Sequence, residues 1–289
     1  MPLSRRHFLQ MAGIALVGAP MADFHLPERA TAYGRALVAA PVHIRPDEAA
    51  AVTSHLWPDS VMAVTGRHAG WYQTAEGYIR QRHVQPVLLT DRPVSARISQ
   101  PPFWGEVIGP VAPIYQWCAA DAPLVTRIGH GGIARLVDFL PGETQWYGVA
   151  DETGHLLGWS QATNWQPAVS EGRPIPVEIV IDQQAQRMTV KANRQHLVNT
   201  AISTGLSLPT GVYPVERGHP GGLCCRGDDM TYYGVPSPLH FGSGWTLAGI
   251  YWHNQFGEPA PGPAVQMATY VARWLYQTCG PGSYVVVRN

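Results

Sequence analysis

The sequence predicts a mainly β chain: two small barrels followed by a β-sandwich that carries one C-terminal helix. Three observations lead there. The 289 residues include 30 Gly and 26 Pro, which break apolar runs roughly every eight to twelve residues, the rhythm of short strands joined by tight turns. An aromatic pair, Trp71-Tyr72, returns as Trp146-Tyr147 inside a similar order of apolar segments. Helical periodicity is confined to one stretch late in the chain, 269–277.

Composition narrows the function classes. Hydrophobic residues make up 45% of the chain, with 10 Trp and 12 Tyr, enough to build cores in two or three domains. Twenty basic residues balance twenty acidic ones, and charged residues total only 14%, so no charge excess draws the chain to nucleic acid or to an anionic membrane. Lys191 is the single lysine, which argues against Schiff-base chemistry. Cys118, Cys224, Cys225 and Cys279 have no C-x-x-C spacing, so a zinc site is not expected; no cofactor is expected either.

The N-terminus reads as an address. Arg5-Arg6-His7-Phe8-Leu9 precedes an apolar run over 11–20 that is too short to span a bilayer as a helix. This is the pattern of a twin-arginine export signal, assigned to 1–22 and followed by a linker over 23–34. Pro20 beside Ala19 and upstream of Ala22 disfavours cleavage, so contact with a membrane is expected only through an uncleaved signal. Export places the protein in the cell envelope, where the four cysteines are free to pair in any of three ways.

The first barrel is assigned to 35–88, with strands at 36–44, 60–65, 71–74 and 77–79 before Pro86. The second, 103–168, repeats the order after Pro101-Pro102, with strands at 107–115, 132–139, 146–149 and 158–160 before Pro167. Asp151-Glu152-Thr153-Gly154-His155 has the composition of a turn that lengthens one hairpin of the second copy. An aromatic pair on one strand, with Gly77-Tyr78-Ile79 or Gly158-Trp159-Ser160 opening the next, resembles bacterial SH3-like domains over about 35–170. That resemblance implies non-catalytic targeting or spacing modules of cell-wall proteins. The Trp and Tyr side chains are expected to fill the small cores.

From 175 the pattern changes to a β-meander. Strands are expected at 177–182, 187–192 and 196–203, with turns at 183–186 and 193–195. A Gly-rich loop over 218–227, a strand over 245–252, the helix and a closing strand over 284–288 follow.

The order Ser203-Thr204-Gly205, Pro209-Thr210-Gly211-Val212-Tyr213, Tyr251-Trp252-His253-Asn254-Gln255-Phe256-Gly257, Ala272-Arg273-Trp274-Leu275-Tyr276 and Val285-Val286-Val287 resembles the L,D-transpeptidase catalytic domain over about 175–288. The resemblance implies acyl transfer between peptidoglycan stem peptides through a cysteine nucleophile, in a loop reading Ser-His-Gly-Cys-Val-Asn or Ser-His-Gly-Cys-Val-Arg, with a second histidine on the upstream strand. His253 takes that upstream place. In the gap-free register Pro261 stands for the Ser, Gly262 for the catalytic His, Pro263 for the Gly, Ala264 for the Cys, Val265 for the Val and Gln266 for the Asn.

A methyl group cannot attack a carbonyl, and two prolines have no N–H to offer an oxyanion. Loss of an acyl-transfer nucleophile costs on the order of a millionfold in rate. The expectation is therefore a pseudoenzyme with a vestigial site at His253, Gly262 and Ala264. It would bind peptidoglycan stem peptides through Tyr251, Trp252, His253, Asn254 and Gln266, or bind a cell-wall enzyme. Two alternatives stay open: an active transpeptidase with a relocated nucleophile at Cys224 or Cys225, with His219 and His240 nearby in sequence, and a structural spacer that binds nothing.

Overall fold

The structure, a computed structural model, describes residues 22–23, 32–87, 98–168, 172–205, 208–226, 231–260 and 264–289. The export-signal residues, apart from Ala22, and the loop residues Pro261, Gly262 and Pro263 lie outside the described residues. The chain is mainly β with a single α-helix among the described residues.

A two-residue strand, β1 (Ala22–Asp23), joins the edge of the large C-terminal sheet. The first repeat follows with β2 (Ala32–Ala36), β3 (Ala40–His43), β4 (Val52–Leu56), β5 (Val61–Val64), β6 (Gly66–His68), β7 (Trp71–Thr74) and β8 (Gly77–Arg80). A 3-10 turn at Gln81–His83 leads into β9 (Val84–Val87). These strands form two sheets, ordered β5-β2-β9 and β4-β3-β8-β7-β6.

The second repeat runs through β10 (Phe103–Val107), β11 (Val111–Tyr115), β12 (Leu124–Gly129), β13 (Ile133–Leu140), β14 (Trp146–Ala150) and β15 (Leu156–Gln161), then a 3-10 turn at Ala162–Asn164 and β16 (Trp165–Pro167). Its strands form one sheet, ordered β12-β11-β15-β14-β13-β10-β16.

The pairings of the two repeats correspond strand for strand. β2 lies between β5 and β9 as β10 lies between β13 and β16, and β3 lies between β4 and β8 as β11 lies between β12 and β15. The single strand β13 does the work of β5 and β6 together, with a bulge between Leu136 and Asp138 near the place where the first copy breaks at Thr65. Trp71, Tyr72, Trp146 and Tyr147 are all buried.

The expected strands 36–44 and 107–115 are each two strands. The chain turns a corner at Leu37–Ala39 and again at Ile108–Pro110, so that one apolar run serves both faces of a small barrel. β2 also begins at Ala32, inside the stretch expected to be a linker.

The C-terminal sheet contains β17 (Glu178–Asp182), β18 (Arg187–Ala192), β19 (Gln195–Ala201), β20 (Gly211–Arg217), β23 (Leu239–Phe241), β24 (Trp245–Ile250), β25 (Ala264–Ala268) and β26 (Tyr284–Arg288), in the order β1-β19-β18-β17-β26-β20-β23-β24-β25. Between β20 and β23, β21 (Leu223–Arg226) and β22 (Thr231–Val235) form a separate hairpin. Asn193 and Arg194, at φ 49° and 65°, make the two-residue turn that matches the twist of β18 and β19. A bridge between Ser203 and Gln266, with N–H···O distances of 2.9 and 2.8 Å in the two directions, ties β25 to the chain leaving β19 and nearly closes the sheet on itself.

The core alternates along the strands, as in the buried Met188, Val190 and Ala192 of β18. Helix α1 (Thr269–Thr278) lays Thr269, Val271, Ala272, Leu275 and Tyr276 on this core. It sits close because Gly249 has no side chain: a Cβ there would stand 3.0 Å from Thr269 Cα. Residues 264–268, expected as part of a catalytic loop, are instead a buried strand parallel to β24.

Candidate functional site

His253 follows β24 at the corner where the sandwich meets the first repeat. The Gln255 amide donates to His253 Nδ1 at 3.3 Å, so Nδ1 carries the lone pair and Nε2 the proton. Nε2–H then donates to Gln266 Oε1 at 2.6 Å. Burial lowers the pKa of the ring, and the bond to Gln266 offsets this in part. The imidazole is thus held as a neutral donor, the opposite of a base waiting for a thiol proton.

Gln266 is buried, and its backbone makes the bridge to Ser203. Ala264, two residues earlier on the same strand face, is also buried and pairs with Thr246.

The neighbours of His253 are engaged as well. Asn254 Nδ2 donates to the Gln81 and Val84 carbonyls at 3.0 and 2.8 Å, gripping the last turn of the first repeat. Tyr251 is buried within the core of the second repeat, beside Val107, Ile114 and Trp165. Its hydroxyl donates to the Tyr233 carbonyl at 2.7 Å, and burial holds the phenol far above its ordinary pKa. Trp252 stacks on Tyr232 with ring centroids 4.2 Å apart.

Sequence reasoning missed Arg35, which anchors this corner. Its buried guanidinium donates to Gln85 Oε1 at 3.1 Å, to Asp59 Oδ1 at 2.9 Å and to the Tyr251 carbonyl at 2.7 Å. Asp59 also faces Arg127 of the second repeat at 3.3 Å, and Gln85 Nε2 donates to the His130 carbonyl at 2.8 Å. Arg35 therefore joins the first repeat to the sandwich directly and reaches the second repeat through Asp59 and Gln85.

Between Gln85, Pro86, His253, Asn254, Phe256 and Tyr270 there remains a space of about 10 Å³, the scale of one water molecule and far below a ligand pocket. Among the described residues, those expected to bind a stem peptide are brought together around inter-unit contacts.

The chain is similar to solved L,D-transpeptidases. A Stackebrandtia nassauensis L,D-transpeptidase aligns at 16% identity over 41% of this chain and 58% of its own, with a TM-score of 0.32. L,D-transpeptidase 3 from Mycobacterium tuberculosis aligns at 16% identity over 45% and 67%, with a TM-score of 0.36. The Enterococcus faecium catalytic domain acylated by ertapenem aligns at 19% identity over 40% and 100%, with a TM-score of 0.34. The chain thus spans little more than half of the Stackebrandtia protein. No protein-family model matches it, and no curated protein does.

The cysteines do not have the surroundings of a reactive thiol. Cys224 Sγ donates to Glu152 Oε1 at 3.0 Å, and burial together with that carboxylate pushes its pKa up to about 11. Burial also raises Cys225 and Cys279. A reactive thiol needs the reverse shift. All four cysteines are free thiols, so none of the three possible pairings is present. The hydroxyl of Thr246 is 3.1 Å from His240 Nδ1, and His219 stacks on Trp104 of the second repeat. Among the described residues no three His, Cys, Asp or Glu side chains gather to hold a metal ion, and no helix is long and apolar enough to cross a membrane.

Proposed function

We propose that this protein is an exported, cell-envelope pseudoenzyme of the L,D-transpeptidase type that binds peptidoglycan without transferring acyl groups. The observation that carries the reading is the state of His253, a neutral donor fastened to Gln266 Oε1 at 2.6 Å, with Ala264 where the resemblance asks for a nucleophile. An acyl transfer needs a thiolate and a base that can receive its proton, and this corner offers neither. Stem-peptide recognition through Tyr251, Trp252, His253, Asn254 and Gln266 would require the first repeat to lift from Asn254 and Arg35. In this reading the SH3-like repeats target or space the protein at the wall.

Two measurements test the proposal. Intact-mass spectrometry after incubation with a carbapenem is expected to show the unmodified mass; a covalent adduct would sink the pseudoenzyme reading. Co-sedimentation with purified sacculi is expected to pull the protein into the pellet, and protein left in the supernatant would make it a spacer.

A further inference from the structure

A second concavity, of about 520 Å³, lies between the second repeat and the sandwich, within the size range of small-ligand sites. One wall is Phe103, Trp104 and Pro167 of the paired strands β10 and β16. The other is Arg217, at the end of β20, with His219 and Tyr276 of α1.

These side chains are held in place. The Arg217 guanidinium lies 4.1 Å over the Tyr276 ring, and the Tyr276 hydroxyl donates to the Gly218 carbonyl at 2.7 Å. The contact with the Tyr276 ring takes up no oxygen acceptor, so the guanidinium donors remain available to a ligand. Among the described residues Arg217 has no carboxylate partner, although it is exposed at the mouth of the groove. Trp104 stacks on His219 with centroids 5.6 Å apart. Its six-membered ring also lies against Gly222, at φ 89°, where a Cβ would come within 2.6 Å.

A fixed guanidinium fork beside flat apolar walls suits a short extended chain that ends in a carboxylate. We infer that this groove binds the free C-terminal carboxylate of a short peptide, with Arg217 holding the carboxylate and Trp104 and Phe103 packing on the preceding residues. The wall-binding reading proposed above enters only in naming a peptidoglycan stem as the source of that peptide.

Isothermal titration of the full chain with a stem tetrapeptide, its C-terminal amide and an unrelated all-L tetrapeptide acid tests the inference. The acid is expected to bind at least about tenfold more tightly than the amide, the yield of one charge-assisted contact. R217A should erase that difference, with an unchanged thermal midpoint showing that the fold is intact. R217K should restore only part of it, because an ammonium cannot form the planar fork. Equal binding of acid and amide, an unchanged affinity in R217A, or no binding of any peptide would overturn the groove. Equal binding of both tetrapeptide acids would support the groove and overturn the stem as its source. Sacculus co-sedimentation is read separately, so the groove and the wall-binding reading stand or fall independently.

Discussion

Arg35 and Tyr251, 216 positions apart in the chain, are joined by a 2.7 Å hydrogen bond from a buried guanidinium to a backbone carbonyl. The same guanidinium holds Asp59 and Gln85, so with Asn254 this side chain seats the first repeat on the sandwich. Its pKa is lowered by burial, offset in part by Asp59, and it stays charged at every accessible pH.

Replacing Arg35 by Met should therefore cost about 3 kcal/mol, because it leaves the Tyr251 carbonyl and the Gln85 amide oxygen without this donor and Asp59 with Arg127 alone. Urea denaturation is the measurement. A midpoint within error of the parent would show that the repeats do not depend on this contact.

Stability should also fall on mild acidification. His130 Nδ1 lies 3.0 Å from the Gly109 carbonyl and donates its proton there. Burial, with Arg273 and Arg35 nearby, lowers its pKa from 6.5 to about 4. The unfolded chain binds this proton near pH 6.5 and the folded one only near 4, so stability declines as pH drops through that window. The loss reaches at most about 3 kcal/mol below pH 4. H130Q should flatten the pH dependence of the midpoint between pH 6.5 and 4, and an equally steep profile in the variant would refute the assignment.

Cys224 should be sluggish toward iodoacetamide at pH 8. With its pKa near 11, roughly one thiol in a thousand is ionised there. E152Q removes the negative charge beside it and should raise the alkylation rate several-fold. A slower rate in E152Q would mean that the carboxylate serves as a base and not as an acceptor.

Placing a thiol at position 264 should not by itself create acyl-transfer chemistry. Ala264 is a buried residue of β25, and the neighbouring His253 is a donor with its second nitrogen already occupied. In A264C, carbapenem treatment should give no adduct, and maleimide should label the new thiol only after denaturation. Rapid labelling of the folded variant would show that this corner opens.

Much of the strand order could be read from the chain because alternation and turn residues mark it directly: Met188, Val190 and Ala192 inward on β18, Asn193-Arg194 at the hairpin, Val271 and Leu275 on the helix. Strands β4 and β12 escaped notice because their buried positions do not alternate cleanly with apolar residues, as in Val52-Thr53-Ser54-His55-Leu56. The 264–268 strand was hidden by the two prolines before it and by a register borrowed from a loop. At the candidate site, His253, Ala264 and Gln266 were visible as residue types, but their engagement was not. Arg35, Asp59, Gln85 and Trp104 lie far away in sequence and belong to the other units. A contact between units leaves no periodic trace in either one.

The position of β26 has a consequence for the order of assembly. Tyr284–Arg288 lies between β17 and β20, parallel to the first and antiparallel to the second. Every strand it organises is synthesised before it, so a growing chain holds two half-sheets, β1-β19-β18-β17 and β20-β23-β24-β25. They can join through β26 only after about a hundred residues of chain beyond β17 have emerged, the long-range pairing that makes folding slow. The strand made last is the middle of the sheet, so the pairing of β17 and β20 through it must wait for the end of the chain.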